Sequence, residues 1–173
     1  MNSLKCDILI LGGGMVGLSV ATQILQRGIS NSIVIVDKEA SLGLHSSGRN
    51  SGVLHAGLYY KPGTLKAKVC VDGSRRLRRW VIDRGLPLNP CGKVIVPPRP
   101  ELDPQLDVLA ERGRSNGAKV ELWDEYQLRD FIPEARTGSG RALWSPNTAV
   151  VKPILVVRCL QEELADQGVI FLH

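Results

Sequence analysis

The sequence predicts an α/β fold with a parallel β-α-β start, an inserted α+β middle portion and a returning helix–strand unit, incomplete as a doubly wound architecture. Three observations predict it. A short apolar run, Lys5–Leu11 (KCDILIL), stops at three consecutive glycines, and a stretch of helical periodicity follows. A β-branched run, Ile33–Val36, comes next and ends on Asp37. The chain closes on a second helical pattern, Pro153–Gln167, and a last apolar run, Val169–Leu172.

Taken in order, Lys5–Leu11 has the length of a buried strand. Met15–Arg27 places Val16, Val20, Ile24 and Leu25 on one helical face, and Gly28 stands where a helix of that length ends. Lys38–Gly57 has no period. It carries four glycines and four serines with Leu42, Leu44, Val53 and Leu54 between them, which suits an ordered ligand-facing loop better than a flexible linker. Thr64–Arg84 reads as a helix closed by Gly85, Lys93–Val96 as a strand, and Glu101–Asn116 as a helix before Gly117. Val120–Trp123 is a short strand. Asp124 caps a helix running to about Ile132, ahead of Pro133. Ala142–Trp144 and Ala149–Val151 are short strands, and Pro153 suits the first position of the last helix. The organisation is therefore 1–58, a nucleotide-binding segment with its loop; 59–147, an insertion; and 148–173, the returning unit.

Composition narrows the class. The 173 residues are 43% hydrophobic and 23% charged, which excludes a disordered or collagen-like chain. No apolar run approaches a membrane span, and no signal peptide precedes the first strand, so a cytoplasmic protein is expected. Cys6, Cys70, Cys91 and Cys159 have no metal-ligand spacing, so neither a metal site nor a disulfide framework is expected. The charge of +5 owes much to Arg75, Arg76, Arg78 and Arg79. Such a cluster can meet nucleic acid or an anionic membrane. Leu77, Trp80 and Val81 between the arginines favour a solvated helix face, and no nucleic-acid motif accompanies them. Nucleic acid is not expected as a partner; peripheral membrane contact stays open.

The glycines carry the first chemistry. Gly12-x-Gly14-x-x-Gly17 sits between a strand and a helix, the context that makes this pattern a Rossmann-like dinucleotide fingerprint. Gly12 permits the tight turn, Gly14 lets a pyrophosphate approach the backbone, and Gly17 lets the helix lie close to the strand. Asp37, 20 residues beyond Gly17, can accept from ribose hydroxyls and would repel a 2′-phosphate. The fingerprint alone does not separate FAD from NAD.

The run His45–Gly63 (HSSGRNSGVLHAGLYYKPG), followed by Thr64–Val71 (TLKAKVCV), resembles the L-2-hydroxyglutarate oxidase/dehydrogenase family, FAD-dependent oxidoreductases of the D-amino-acid oxidase type. Cys91–Val96 (CGKVIV) and Thr148–Val151 match as well, so the resemblance runs along nearly the whole chain. There are two departures. Ser46 stands where the family usually has Gln, which alters a polar contact near the cofactor. Lys152 stands where it has Asp, placing a cation at a helix N-terminus, where it is mildly unfavourable.

The resemblance implies an FAD site. Gly12, Gly14 and Gly17 would meet the pyrophosphate and Asp37 the adenosine ribose. Ser47, Arg49, Asn50, Ser51 and Gly52 would run past the pyrophosphate and ribityl chain towards the isoalloxazine. Arg49 suits a phosphate better than a substrate carboxylate, although its planar fork could clamp either. The implied reaction oxidises a 2-hydroxy acid to a 2-oxo acid, 2-hydroxyglutarate to 2-oxoglutarate, by hydride transfer to flavin N5. Oxygen or a quinone would take the electrons onward. His55 is the candidate acid–base, because a neutral imidazole suits proton loss from the hydroxyl; a structural histidine is the alternative. His45 reads as structural, and Tyr59 and Tyr60 as pocket-lining or core. Two rivals remain: a truncated or split, non-catalytic flavoprotein fragment whose C-terminal half comes from elsewhere, and a related glycerol-3-phosphate or amino-acid oxidase. An NAD dehydrogenase would leave the Ser/Asn/Gly loop without a purpose.

Overall fold

The computed structural model describes residues 4–173, which divide into two compact units, 4–52 with 152–173 and 53–151. The first unit holds β1 (Ile8–Leu11), α1 (Met15–Gln26), β2 (Ile33–Val36), α5 (Pro153–Asp166) and β9 (Ile170–Leu172). Its three strands form one parallel sheet in the order β1-β2-β9, with Ile8 opposite Ile33 and Val34 opposite Ile170. Parallel strands need cover on both faces. The central strand β2 has it, since Ile33, Val34 and Ile35 are buried. Leu18 and Ala21 of α1 join Val156, Val157, Leu160 and Leu164 of α5 in this core.

The apolar face read for α1 is placed differently. Val16 is 79% exposed and Val20 is exposed too, while Leu18 and Ala21 are the buried positions. Leu9 and Leu11 of β1 are also exposed, Leu11 at 79%. The helix ends as expected: Gly28, at φ +63°, donates to Leu25 O, and Ile29 donates to Ile24 O, closing the last turn. Lys152 occupies the N-cap position of α5 without a side-chain cap, and Pro153 follows it.

The second unit holds β3 (Val53–Leu54), α2 (Leu65–Asp83), β4 (Leu88–Asn89), β5 (Lys93–Ile95), α3 (Pro104–Ser115), β6 (Glu121–Asp124), α4 (Glu125–Phe131), β7 (Arg141–Ser145) and β8 (Ala149–Val151). It contains two antiparallel sheets, β3-β8-β4 and β5-β7-β6. Ala56, Leu58, Leu106, Ala110 and Leu143 form its core, with Ile95, Leu109, Ala118, Val120 and Leu122 packed around them. Three features differ from the sequence reading. Val53–Leu54 is a two-residue strand inside the segment read as loop, and Leu88–Asn89 is another short strand. The helix expected over Glu101–Asn116 begins as a 3-10 turn, Pro100–Leu102, and restarts at Pro104, whose missing N–H interrupts the ladder. Asp124 caps α4 through a capping box with Gln127.

Arg141 clamps the start of α3 to β7. Its guanidinium donates to Asp103 Oδ2 (2.6 Å) and to Asp107 Oδ1 and Oδ2 (2.7 and 3.2 Å). The Arg141 hydrogen bonds to Asp107, with the charges of Arg141 and Arg114, hold the Asp107 carboxyl below the usual range. Among the described residues no helix is long and apolar enough to cross a membrane.

Candidate functional site

In the first unit, β1 delivers the chain into the glycine turn. Gly12 takes φ +106°, a conformation other residues rarely adopt, and donates its N–H to Val36 O (2.7 Å), which ties the turn to the end of β2. Gly13 donates to Asp37 Oδ2 (2.7 Å). A Cβ on Gly12 would meet open space. One on Gly13 would lie 2.3 Å from Leu42, one on Gly14 2.9 Å from Ser47 Oγ, and one on Gly17 2.0 Å from Gly12 O. The last distance shows how closely α1 approaches the turn.

Gly14 is the N-cap of α1 and has no side chain with which to cap it. Ser47 does so from 32 positions downstream, its Oγ accepting the Met15 N–H at 3.0 Å. The first turn of α1 contains no acidic residue, so the positive end of the helix dipole is not offset there.

Asp37 closes the other side of the turn. Its Oδ1 accepts the Glu39 N–H (3.0 Å). That bond and the one from Gly13 hold its carboxyl below the ordinary range, against a smaller opposing effect of burial, with His45 and His173 adding to the lowering. Asp37 is therefore a carboxylate at neutral pH. Beside it, His45 Nε2 lies 2.8 Å from Glu39 Oε1 and His173 Nδ1 lies 2.5 Å from Glu39 O. The sequence reading named His45 as structural, and nothing in the spacing pointed to Glu39 or His173.

The loop after β2 is braced by its own atoms. Gly48 and Arg49 both donate backbone N–H groups to His45 O. Asn50 uses both ends of its amide, donating to Ser46 O and Ser47 O and accepting from Gly52 N–H. A Cβ on Gly48 would lie 2.1 Å from Gly43 O. Arg49 and Ser51 are exposed on this braced frame, and Gly52 is buried.

The first unit thus brings together Gly12, Gly14, Gly17, Asp37 and Ser47 and carries Arg49, Asn50, Ser51 and Gly52 on the adjoining loop. This set suits an adenine dinucleotide: an open face at Gly12, an uncompensated helix N-terminus for a diphosphate, and an ionised acceptor for ribose hydroxyls.

His55 belongs to the second unit. It is exposed, and its ring meets Tyr59 edge-on with centroids 6.0 Å apart. Local desolvation, then the charge of Lys93, lower its pKa below the ordinary value. Lys93 Nζ donates to Tyr59 OH (2.8 Å) and sits 4.4 Å from the Tyr59 ring centroid. The Cys70 thiol lies 3.7 Å from His55 O. The sequence reading did not single out Lys93; it is 34 positions from Tyr59, and no spacing rule joins them.

Known proteins resemble this chain in sequence and fold. The family described as DAO, FAD dependent oxidoreductase, matches residues 7–173. L-2-hydroxyglutarate dehydrogenases are similar in sequence. The human mitochondrial protein is 46% identical over 163 residues, 94% of this chain and 35% of its own length. That of the bacterium Indibacter alkaliphilus is 45% identical over 163 residues, 94% of this chain and 40% of its own. That of Caenorhabditis elegans, also mitochondrial, is 38% identical over 165 residues, 95% and 38%. Among solved structures, glycine oxidase from Geobacillus kaustophilus superposes with a TM-score of 0.86 at 16% identity, covering 99% of this chain and 47% of that one. L-alpha-glycerophosphate oxidase from Mycoplasma pneumoniae with FAD bound gives 0.83 at 24%, covering 96% and 44%. These two establish the likeness of fold. The chain spans well under half the length of the relatives it matches.

Proposed function

The chain belongs to the DAO family of FAD dependent oxidoreductases, and on that premise we propose that its first unit holds FAD and that the protein oxidises a 2-hydroxy acid of the L-2-hydroxyglutarate class to the 2-oxo acid. One observation carries the substrate class: identity of 38–46% to L-2-hydroxyglutarate dehydrogenases extends over 94–95% of the chain, through both units. The solved neighbours, at 16–24% identity, support the fold and leave glycerol phosphate and amino acids as the second choice of substrate.

In this reading Gly12, Gly14 and Gly17 let a diphosphate reach the N-terminus of α1, and the Asp37 carboxylate accepts from the ribose. Ser47 accepts the Met15 N–H and so keeps its own O–H for a phosphate oxygen. Arg49 supplies a cation from the exposed side of the loop, while Asn50 holds the loop in shape around Ser51 and Gly52. When bound, FAD supplies the two-electron acceptor for the substrate C2–H. His55 takes the hydroxyl proton; its lowered pKa keeps the imidazole neutral, as a base must be near pH 7.

The exposed Leu9, Leu11, Val16 and Val20 leave β1 as an uncovered edge of a parallel sheet among the described residues. We assign that edge to further polypeptide of the kind the longer relatives contain, which would add strands beside β1 and cover α1. Oxygen or a quinone is the proposed electron acceptor. None of the four cysteines is in a disulfide, which suits a reducing compartment such as the cytoplasm, and the α2 arginines offer a peripheral contact with an anionic membrane.

Flavin absorbance of the purified protein and a substrate screen with an artificial electron acceptor test the reading. Folded protein that takes up no FAD would remove the cofactor assignment. Flavin reduced by glycerol 3-phosphate or an amino acid, and not by a 2-hydroxy acid, would replace the substrate class.

A further inference from the structure

Within the second unit, Lys93 is half-buried on β5, and no carboxylate among the described residues pairs with it. Its hydrogen-bond partner is a neutral phenol, Tyr59 OH, at 2.8 Å, and its ammonium also lies against the Tyr59 ring. Edge-on to that ring sits His55. The positive charge is felt by its surroundings: Lys93 acts to lower the pKa of both His55 and the Cys70 thiol. Half-buried beside a neutral partner, this cation can take up an anionic ligand that supplies the counter-charge. The phenol accepts from the ammonium, so its own O–H is left to donate. Two donors 2.8 Å apart, one of them charged, suit the two oxygens of one carboxylate.

We propose that Lys93, with Tyr59 OH, is the anion-recognising pair of the His55 site and binds a carboxylate of the substrate. This rests on the 2-hydroxy-acid reading above. Lys93 sets affinity and orientation, Tyr59 holds its ammonium in place, and His55 is left to exchange the proton.

The test uses the FAD-loaded full-length protein with Lys93→Met, Lys93→Arg and Tyr59→Phe, together with NMR titration of the His55 ring. Lys93→Met should raise KM for L-2-hydroxyglutarate tenfold or more, with a smaller fall in kcat, and Lys93→Arg should recover part of the loss. Tyr59→Phe should raise KM less than Lys93→Met does. In the unaltered protein, 2-oxoglutarate should raise the His55 titration midpoint by neutralising Lys93; in Lys93→Met the midpoint should start higher and no longer respond. An unchanged KM, or a fall in kcat alone with the fold intact, would overturn the proposal. The NMR arm does not need turnover. If the protein oxidises no 2-hydroxy acid, the functional reading fails by itself, whereas a His55 midpoint that ignores both 2-oxoglutarate and the loss of Lys93 removes the anion pair.

Discussion

Replacing Ser47 with Ala removes one hydroxyl, and the structure sets what that hydroxyl does. It caps α1 by accepting the Met15 N–H, a task the N-cap residue Gly14 cannot perform. Loss of such a cap costs about 1 kcal/mol, within a range of roughly 0.5–2. Gly14→Ala reaches the same bond from the other side. The new Cβ would lie 2.9 Å from Ser47 Oγ but 3.8 Å from Ser47 Cβ, the latter an ordinary contact. Ser47 can escape only by turning its hydroxyl away, which forfeits the cap. Each single change therefore loses the same hydrogen bond, and the double variant loses it once. The expected double-mutant cycle has a coupling of about 1 kcal/mol, well above the roughly 0.3–0.5 kcal/mol scatter of independent sites. Denaturant unfolding of the apo protein measures it, and hydrogen exchange at the Met15 amide should speed up in both single variants. Additive costs would refute the reasoning: position 14 would then need glycine for another cause, such as approach of the diphosphate.

Other outcomes follow from the same contacts. Gly17→Ala puts a Cβ 2.0 Å from the Gly12 carbonyl, an atom of the backbone that cannot swing aside, so α1 must move off the turn. The cost should be about 1–3 kcal/mol or more in unfolding, with weaker FAD retention. His55→Gln should lower kcat by about 10²–10⁴-fold, as removal of a general base does. Because the His55 pKa is lowered from its ordinary value of about 6.5, the acid limb of the pH–rate profile should fall below that pH. The carboxyls of Asp37 and Asp107 have folded pKa values below their unfolded ones. Their stabilisation is thus fully present above about pH 3.9 and is lost as pH falls through the lower folded values. A pH series of unfolding midpoints should lose its acid slope in part when Asp37→Asn is introduced.

Much of the fold was legible because its signals are local. Three glycines after an apolar run, Gly28 after α1, Pro153 at the start of α5 and Asp124 before α4 each act through backbone torsions or hydrogen bonds within a few residues. Strands of two residues escaped notice: Val53–Leu54 and Leu88–Asn89 exist because β8 lies between them, and they are too short to show a period. The interruption at Pro104 was also a local signal, since a proline inside a helical pattern removes a donor. The burial of α1 was not legible. Periodicity shows that Val16 and Val20 share a side of the helix, and only the packing of α5 against α1 makes Leu18 and Ala21 the inward pair.

By itself, then, the sequence determined a strand–glycine turn–helix–strand start ending on a carboxylate, and a helix and strand able to return to that sheet. Those features depend on torsions, missing N–H groups and apolar spacing along one stretch of chain. Only the tertiary structure decided that Ser47 caps α1, that Leu42 and Ser47 pack where Cβ atoms on Gly13 and Gly14 would lie, and that Lys93 donates to Tyr59. Each of those contacts joins residues 29 to 34 positions apart. At such separations there is no periodicity to read, and contact exists only once the intervening elements have packed.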